Sequence, residues 1–413
     1  MTEQLKLKLN DSKATRWGAL VIVAFTMMAA YYVNDVVAPL KTMLETDLAW
    51  SSTDFGFFTG GYSFLNVFFL MLIWGGLILD RFGIRFTGKL ATILMVGGTA
   101  LEYYAMTGLA GADATLFGIN EIFGYKTGVF VAFAGYSIFG VGAEVAGITV
   151  SKIIAKWFKG KELATAMGVQ VALARIGSQA GYAVAIPLAR AFGISTPVLL
   201  GLVLLLGGMI AFFIFAVMDK KLDKQMEAAA IAAGTEDEEE KFSFKDVKNI
   251  LVNPGFWLIA LLCVLFYSCV FPFQKFASEL MIIKYGINEN VAGTFAGLPA
   301  LGALILTPVF GGFIDKRGKS ASIMLLGSAM LICVHFIYAI PDINYWLVAI
   351  VLMIILGIAF SLVPSAMWPA VAKIFPVSQL GTAYALIFFI QNIGLWGIPT
   401  LIGWVLDAYC ISG

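Results

Sequence analysis

Two side chains of opposite charge interrupt neighbouring apolar stretches of this chain. Glu144 lies in the stretch 128–152, about eight residues or ~12 Å of helix from its basic end, with Gly140 and Gly147 flanking it at helical spacing. Arg175 lies midway along the stretch 162–189, with Ser178, Gln179 and Tyr182 on its face. Ionisable groups in such surroundings are costly, so each marks a candidate functional position. Two chemistries are open. The pair could be a permanent buried ion pair that fixes helix register, an arrangement that can be neutral for stability. Alternatively, it is a split clamp in which Arg175 takes a carboxylate in a bidentate fork and Glu144 takes an ammonium. A zwitterion supplies both partners and would replace the Glu–Arg attraction without leaving either charge unpaired.

Other polar residues share the apolar setting. Asp35 follows Tyr31, Tyr32 and Asn34 in the outer third of the first stretch; it reads as a gate at an external mouth, a proton site or a hydrated interfacial carboxylate. Tyr62 and Asn66 are four apart and share a helical face. Tyr267, Trp368, Gln391 and Asn392 are candidates to line the second half of a cavity. Trp368 leads them, because Pro369 breaks the helix and frees backbone groups there; aromatics also serve as packing or interface anchors. Glu102 and His335 read as structural.

His335 is the only histidine, which excludes a His-rich metal site, and the four cysteines show no CxxC spacing; they read as small core hydrophobes. No metal or cofactor is expected. There is no HExxH, no GxSxG elbow and no midplane Ser/His set, which argues against an intramembrane enzyme. Nothing repeats a charged ring or filter loop, which argues against a channel.

The elements that must hold these residues follow from composition. Of 413 residues, 60% are hydrophobic and 13% charged, and the mean hydropathy is +0.89. That is roughly half the ~25% charge of a soluble domain, and no single soluble core of this size could bury so much apolar surface. A cytosolic enzyme, a nucleic-acid binder and a disordered protein are excluded; the formal net charge of +1 offers no attraction to nucleic acid. The class is an all-α polytopic membrane protein whose main partners are the lipid bilayer and a small-molecule substrate, with a monomer expected. Apolar runs long enough to cross ~30 Å of hydrocarbon fall at 17–40, 54–79, 88–109, 128–152, 162–189 and 196–218, then at 254–280, 290–314, 320–340, 344–371 and 380–406. The runs are continuous rather than alternating, so they predict helices, not a barrel.

Most of the 27 lysines and arginines fall on one side if the N-terminus is cytoplasmic, and the positive-inside rule favours that placement. Residues 1–16 then form a cytoplasmic tail, 17–218 a first bundle, 219–253 a polar cytoplasmic tether that is partly helical, and 254–413 a second bundle. The one Asn-x-Ser match, Asn10–Ser12, falls in the tail, so no external loop offers a glycan acceptor. A prokaryotic plasma membrane is the expected location. An internal repeat supports the two bundles: Gly76, Asp80, Arg81, Gly83 and Arg85 after the second run, and Gly311, Asp315, Lys316 and Gly318 after the second run past the tether. Both copies read G-x3-D-[RK]-x-G on the cytoplasmic side. Such a cluster could be a positive topological stop; its duplication favours a conformational latch.

The duplicated loop resembles the signature of the major facilitator superfamily. The resemblance implies two pseudo-symmetric helical halves, six plus five helices in this chain, around a central cavity. It narrows further through Trp157–Leu163 (WFKGKEL), Ala174–Ser178 (ARIGS), Val270–Phe273 (VFPF), Trp368–Ala372 (WPAVA), Gln379–Tyr384 (QLGTAY) and Gln391–Asn392, which together look like the lysosomal dipeptide carrier branch. That likeness implies an alternating-access carrier of dipeptides or similar zwitterions, with Glu144 and Arg175 holding the two ends; Asp35 is similar to that branch's acidic residue in the first helix. A proton-coupled carrier of organic anions or sugars is the second reading. The family has twelve helices and this chain stops just after the eleventh, so a truncated sequence is expected.

Overall fold

The computed structural model describes residues 8–111, 114–159, 161–233, 244–375 and 377–410. The helices are α1 (Lys13–Val36), α2 (Lys41–Leu48), α3 (Ser52–Phe68), α4 (Met71–Ala105), α5 (Thr127–Trp157), α6 (Leu163–Phe192), α7 (Thr196–Ala233), α8 (Phe244–Leu251), α9 (Pro254–Ile283), α10 (Glu289–Ala296), α11 (Leu298–Arg317), α12 (Ser320–Ala339), α13 (Trp346–Ile374) and α14 (Val377–Tyr409). A two-stranded hairpin, β1 (Glu121–Ile122) with β2 (Tyr125–Lys126), stands between α4 and α5.

Local chemistry sets these boundaries. The Ser12 side chain accepts from the Thr15 amide, so α1 starts at Lys13, earlier than the apolar run, and Arg16 lies inside the helix, buried. Ser51 and Asp54 form a capping box at α3, and Asn253 caps α9 just ahead of Pro254. The expected tether is largely helix: α7 continues to Ala233 and α8 takes 244–251, while 234–243 lie outside the described residues.

Among the described residues, eight helices or helix runs are long and apolar enough to cross a membrane, and the bent pair α3 and α4 makes a ninth. The eleven expected runs differ from this count for two reasons. Within α4 the chain turns at Gly83, whose φ of 76° and ψ of 173° suit glycine alone, so α4 holds the end of the second run and most of the third. α6 is long enough, but Gln170, Arg175, Ser178 and Gln179 interrupt its apolar character. The second run itself is broken at Leu70, which adopts a left-handed conformation, and α3 meets α4 at 59°.

Two large hydrophobic cores result, beside a small third cluster of Ile314, Ile323, Leu362 and Ala366. One gathers side chains from Ala19 to Leu222 together with Phe276; the other gathers Ile250 to Ile387 together with Ala38 and Tyr182. The exceptions show where the sets interlock. Ala38, Tyr182 and Phe276 all lie toward the bundle end away from the N-terminus, called here the far face; the end carrying Arg16, Arg85 and Glu162 is the near face.

Candidate functional site

Glu144 and Arg175 both reach the middle of the bundle and both are half-buried. The Tyr62 hydroxyl donates to Glu144 Oε1 at 3.1 Å. Tyr62 can approach because Gly140, one helical turn before Glu144, lies directly against the Tyr62 backbone, where a Cβ would collide with its carbonyl. Arg175 makes no ion pair among the described residues. Its guanidinium instead lies 5.6 Å from the Tyr31 ring centre and 5.0 Å from that of Phe360, a cation–π seat between the two sets of helices. Tyr31 is within electrostatic reach of Arg175, Glu144 and Asp35 alike, which places it among all three charges. A permanent Glu144–Arg175 ion pair is therefore not what this structure holds. The two charges stand apart, each steadied by aromatic side chains.

The second set contributes an aromatic wall. Trp368 Nε1 donates to the Tyr267 hydroxyl at 3.3 Å, and Tyr267 packs edge-on against Phe360, which carries Arg175 on its ring. Trp368 also packs on Phe388 at 4.9 Å. Trp368, Tyr267, Phe360 and Arg175 thus form one chain of contacts, and Tyr62 with Glu144 a second group.

Four expected residues lie elsewhere. Asn392 is 1% exposed and turns back on its own helix, donating to the Phe388 carbonyl at 2.9 Å. Gln391 is buried and accepts from the Cys263 thiol at 3.2 Å. Asn66 is buried, and neither amide atom finds a partner. All three are packed into the protein rather than set around the charges, because a shared helical face does not fix which face looks inward. Asp35 belongs to the far-face closure instead of the central constellation.

That closure uses residues missed in the sequence. Lys275 of α9 reaches the Asn34 carbonyl at 2.5 Å, Asp35 Oδ1 at 3.2 Å and the Tyr136 hydroxyl at 3.3 Å. Lys41, 1% exposed, sits between Glu45 and Glu279, at 2.5 Å from each. Asp407 of α14 accepts from the backbone amides of Ser52 and Thr53 at 3.0 and 2.6 Å, holding the positive end of α3. Arg190 pairs with Glu289 and donates to Asn290. Among the described residues, every ion pair between the two sets lies on this far face. Lys275 carried a signal that could have found it, a lysine inside an apolar run at helical spacing from Glu279.

The near-face charges pair within the first set. Asp80 accepts from Lys152 at 3.0 Å, and Arg85 bonds Asp223 at 2.8 Å. Lys156 reaches Asp219 at 2.7 Å and also Asp223. These groups line a cavity of about 320 Å³. Arg81 lies over its neighbour Phe82, Gly76 faces open space, and Gly318 turns the chain with φ of 66°. Lys316 is exposed; the Asp315 side chain lies outside the described residues. Of the expected latch residues, Asp80 thus pairs with α5 and Arg85 with α7 in this arrangement, not with the second set. An N-terminal strap adds to the near face: Lys161 bonds Asp11 at 2.6 Å, Arg16 bonds Glu162 at 2.7 Å, and the Leu9 amide donates to Gln225. Lys161 holds the Asp11 carboxyl below the usual carboxylate range, and Arg16 does the same for Glu162.

Known proteins share this plan. The family model described as Major Facilitator Superfamily matches residues 20–397. The lysosomal dipeptide transporter MFSD1 of Homo sapiens is 29% identical over 409 residues, covering 96% of this chain and 81% of that protein. Its counterpart in Gallus gallus is 34% identical over 286 residues, covering 66% and 62%. Among solved structures, a mutant of the nucleoside transporter NupG superposes with a TM-score of 0.69 at 13% identity, over 95% of this chain and 92% of that one. A bacterial homolog to the human lysosomal transporter Spinster gives 0.66 at 16%, over 96% and 83%.

Proposed function

The chain belongs to the major facilitator superfamily and is a multi-pass membrane transporter rather than an enzyme; from that premise we propose that it carries dipeptides or similar small zwitterionic amino-acid derivatives by alternating access. The observation that carries this reading is the separation of Glu144 from Arg175. A cation and a carboxylate on neighbouring helices that are not paired with each other leave both ends of a zwitterion a partner. Arg175 would take the carboxylate and Glu144 the ammonium, with Tyr62 fixing the Glu144 rotamer. Trp368, Tyr267 and Phe360 would cover the apolar middle of the cargo. An organic anion alone would leave Glu144 facing like charge.

The two halves, 17–218 and 254–413, would rock about the far-face contacts. With the basic near face in the cytoplasm, the structure corresponds to an arrangement closed to the outside, and the membrane would be a prokaryotic plasma membrane. Similarity to MFSD1, a lysosomal dipeptide transporter, supports the cargo class.

Uptake of labelled dipeptides into proteoliposomes containing the full chain tests the reading. Uptake of a free dipeptide is expected, with weak competition from its N-acetylated or C-amidated forms. Competition by both blocked forms as strong as that by the free dipeptide would overturn the clamp.

A further inference from the structure

Glu102 is fully buried in α4, and neither carboxylate oxygen has a hydrogen-bond partner among the described residues. An isolated buried carboxylate is among the most costly groups a membrane protein can hold, so its protonation state needs an account. The far-face cluster supplies one. Gly135 packs against the α4 backbone at Gly98 and Glu102, which brings the next residue, Tyr136, and through it Lys275, within electrostatic reach of Glu102.

The charges there do not balance. The elements around Glu102 contribute Asp35 from α1, Tyr136 from α5 and Lys275 from α9; α7 has no titratable residue between Thr196 and Met218, and Tyr103 and Tyr104 follow on α4 itself. Further along α9, Glu279 is held by Lys41, and Asp407 of α14 is held by the amides of α3. One ammonium therefore faces two carboxylates. Asp35 accepts from Asn34 at 2.8 Å, Ser178 at 2.6 Å and Lys275 at 3.2 Å. Glu102 accepts nothing.

We propose that Glu102 is a proton-binding site of the far-face gate, occupied when the gate is closed and vacated when it opens. Opening withdraws Lys275, on the second set of helices, from Asn34, Asp35 and Tyr136. Withdrawing a cation by itself favours the protonated carboxyl, so release depends on the water that enters beside Glu102, which takes the proton and hydrates the carboxylate strongly enough to outweigh that loss. The closed state therefore binds one more proton than the open state, and raising the pH favours opening by up to tenfold in the open-to-closed ratio per pH unit. The inference rests on the carrier reading, in that the far face must open, but not on the identity of the cargo.

The test needs no cargo, so it stands or falls apart from the dipeptide reading. Spin labels at D47C and D342C, both exposed on the far face, are placed in the full chain with its four native cysteines replaced, and pulsed dipolar distances are recorded in lipid nanodiscs from pH 5 to 9. The longer distance should grow with pH in the parent chain. E102Q, a permanent mimic of the protonated form, should be flat with pH and closed, and E102D should titrate again. A flat response in the parent chain overturns the site, and so does a slope that survives in E102Q. A slope lost in D35N but kept in E102Q would move the proton to Asp35 and overturn it equally. Should E102Q not fold, E102D decides: an unmoved midpoint rejects Glu102.

Discussion

Lys41 of the first set and Glu279 of the second meet at 2.5 Å on the far face, with the lysine 1% exposed and the same ammonium donating to the Ser52 hydroxyl oxygen. Removing one partner of a buried pair leaves the other charge uncompensated, at a cost of about 3–5 kcal/mol. K41M leaves Glu45 and Glu279 facing each other without a cation. The closed far face should lose at least tenfold in population, seen as a longer distance between labels on its two sides. E279Q should act in the same direction more weakly, because Lys41 keeps Glu45. An unchanged distance in K41M would show that the pair does not hold the face shut.

The clamp predicts a division of labour between its ends. A charge-assisted hydrogen bond contributes about 1.5–3 kcal/mol, or about 10- to 100-fold in Kd. E144Q should weaken binding of a free dipeptide by that factor and leave its N-acetylated form unchanged. R175K keeps the charge but loses the planar fork and its seat between Tyr31 and Phe360, so at least a tenfold loss is expected for free and N-acetylated peptides alike. Calorimetric titration of purified variants measures both.

The fold class was legible because membrane-length apolar runs are a strong signal, and charges within such runs mark candidate positions. Glu144 and Arg175 stood out by their surroundings alone. Asn66, Gln391 and Asn392 did not resolve, since helical spacing alone does not say whether an amide faces a cavity or packs against a neighbouring helix. For Lys41 and Lys275, only tertiary pairing with Glu279 and Asp35 distinguishes a gate lysine from a topological one. Glu102 reads as structural from the sequence, which does not show that α4 packs tightly enough on α5 to bury it completely. Aromatic partners such as Tyr31 and Phe360 carried no distinguishing pattern among so many aromatics.

Close backbone contact also shuts the far face. A Cβ at Gly60 of α3 would meet the Trp396 carbonyl at 2.7 Å and Thr400 Oγ1 at 3.0 Å, both on α14. Those atoms belong to the opposite set, so a side chain there acts as a wedge between halves. G60V should raise the open far-face population and slow exchange of cargo, while G76V, which meets nothing within 4 Å, should do neither. Cysteine accessibility at far-face positions reports the first effect and counterflow the second.

The near-face strap should respond to acid. Asp11 and Glu162 are held below their ordinary values by Lys161 and Arg16. A carboxyl depressed on folding contributes stability above its unfolded value and loses that contribution as pH falls through its folded value. The unfolded values lie near ~4, so the strap should be intact from neutral pH down to about 5 and loosen below about 4. Both carboxyls face water, so the effect is local and is screened by salt. Amide exchange at residues 8–16, corrected for intrinsic rates, should accelerate in that acid window and do so less steeply at high ionic strength. D11N should exchange faster already at neutral pH and lose part of the acid step. If D11N and E162Q together leave the full step in place, the strap titrates through other groups.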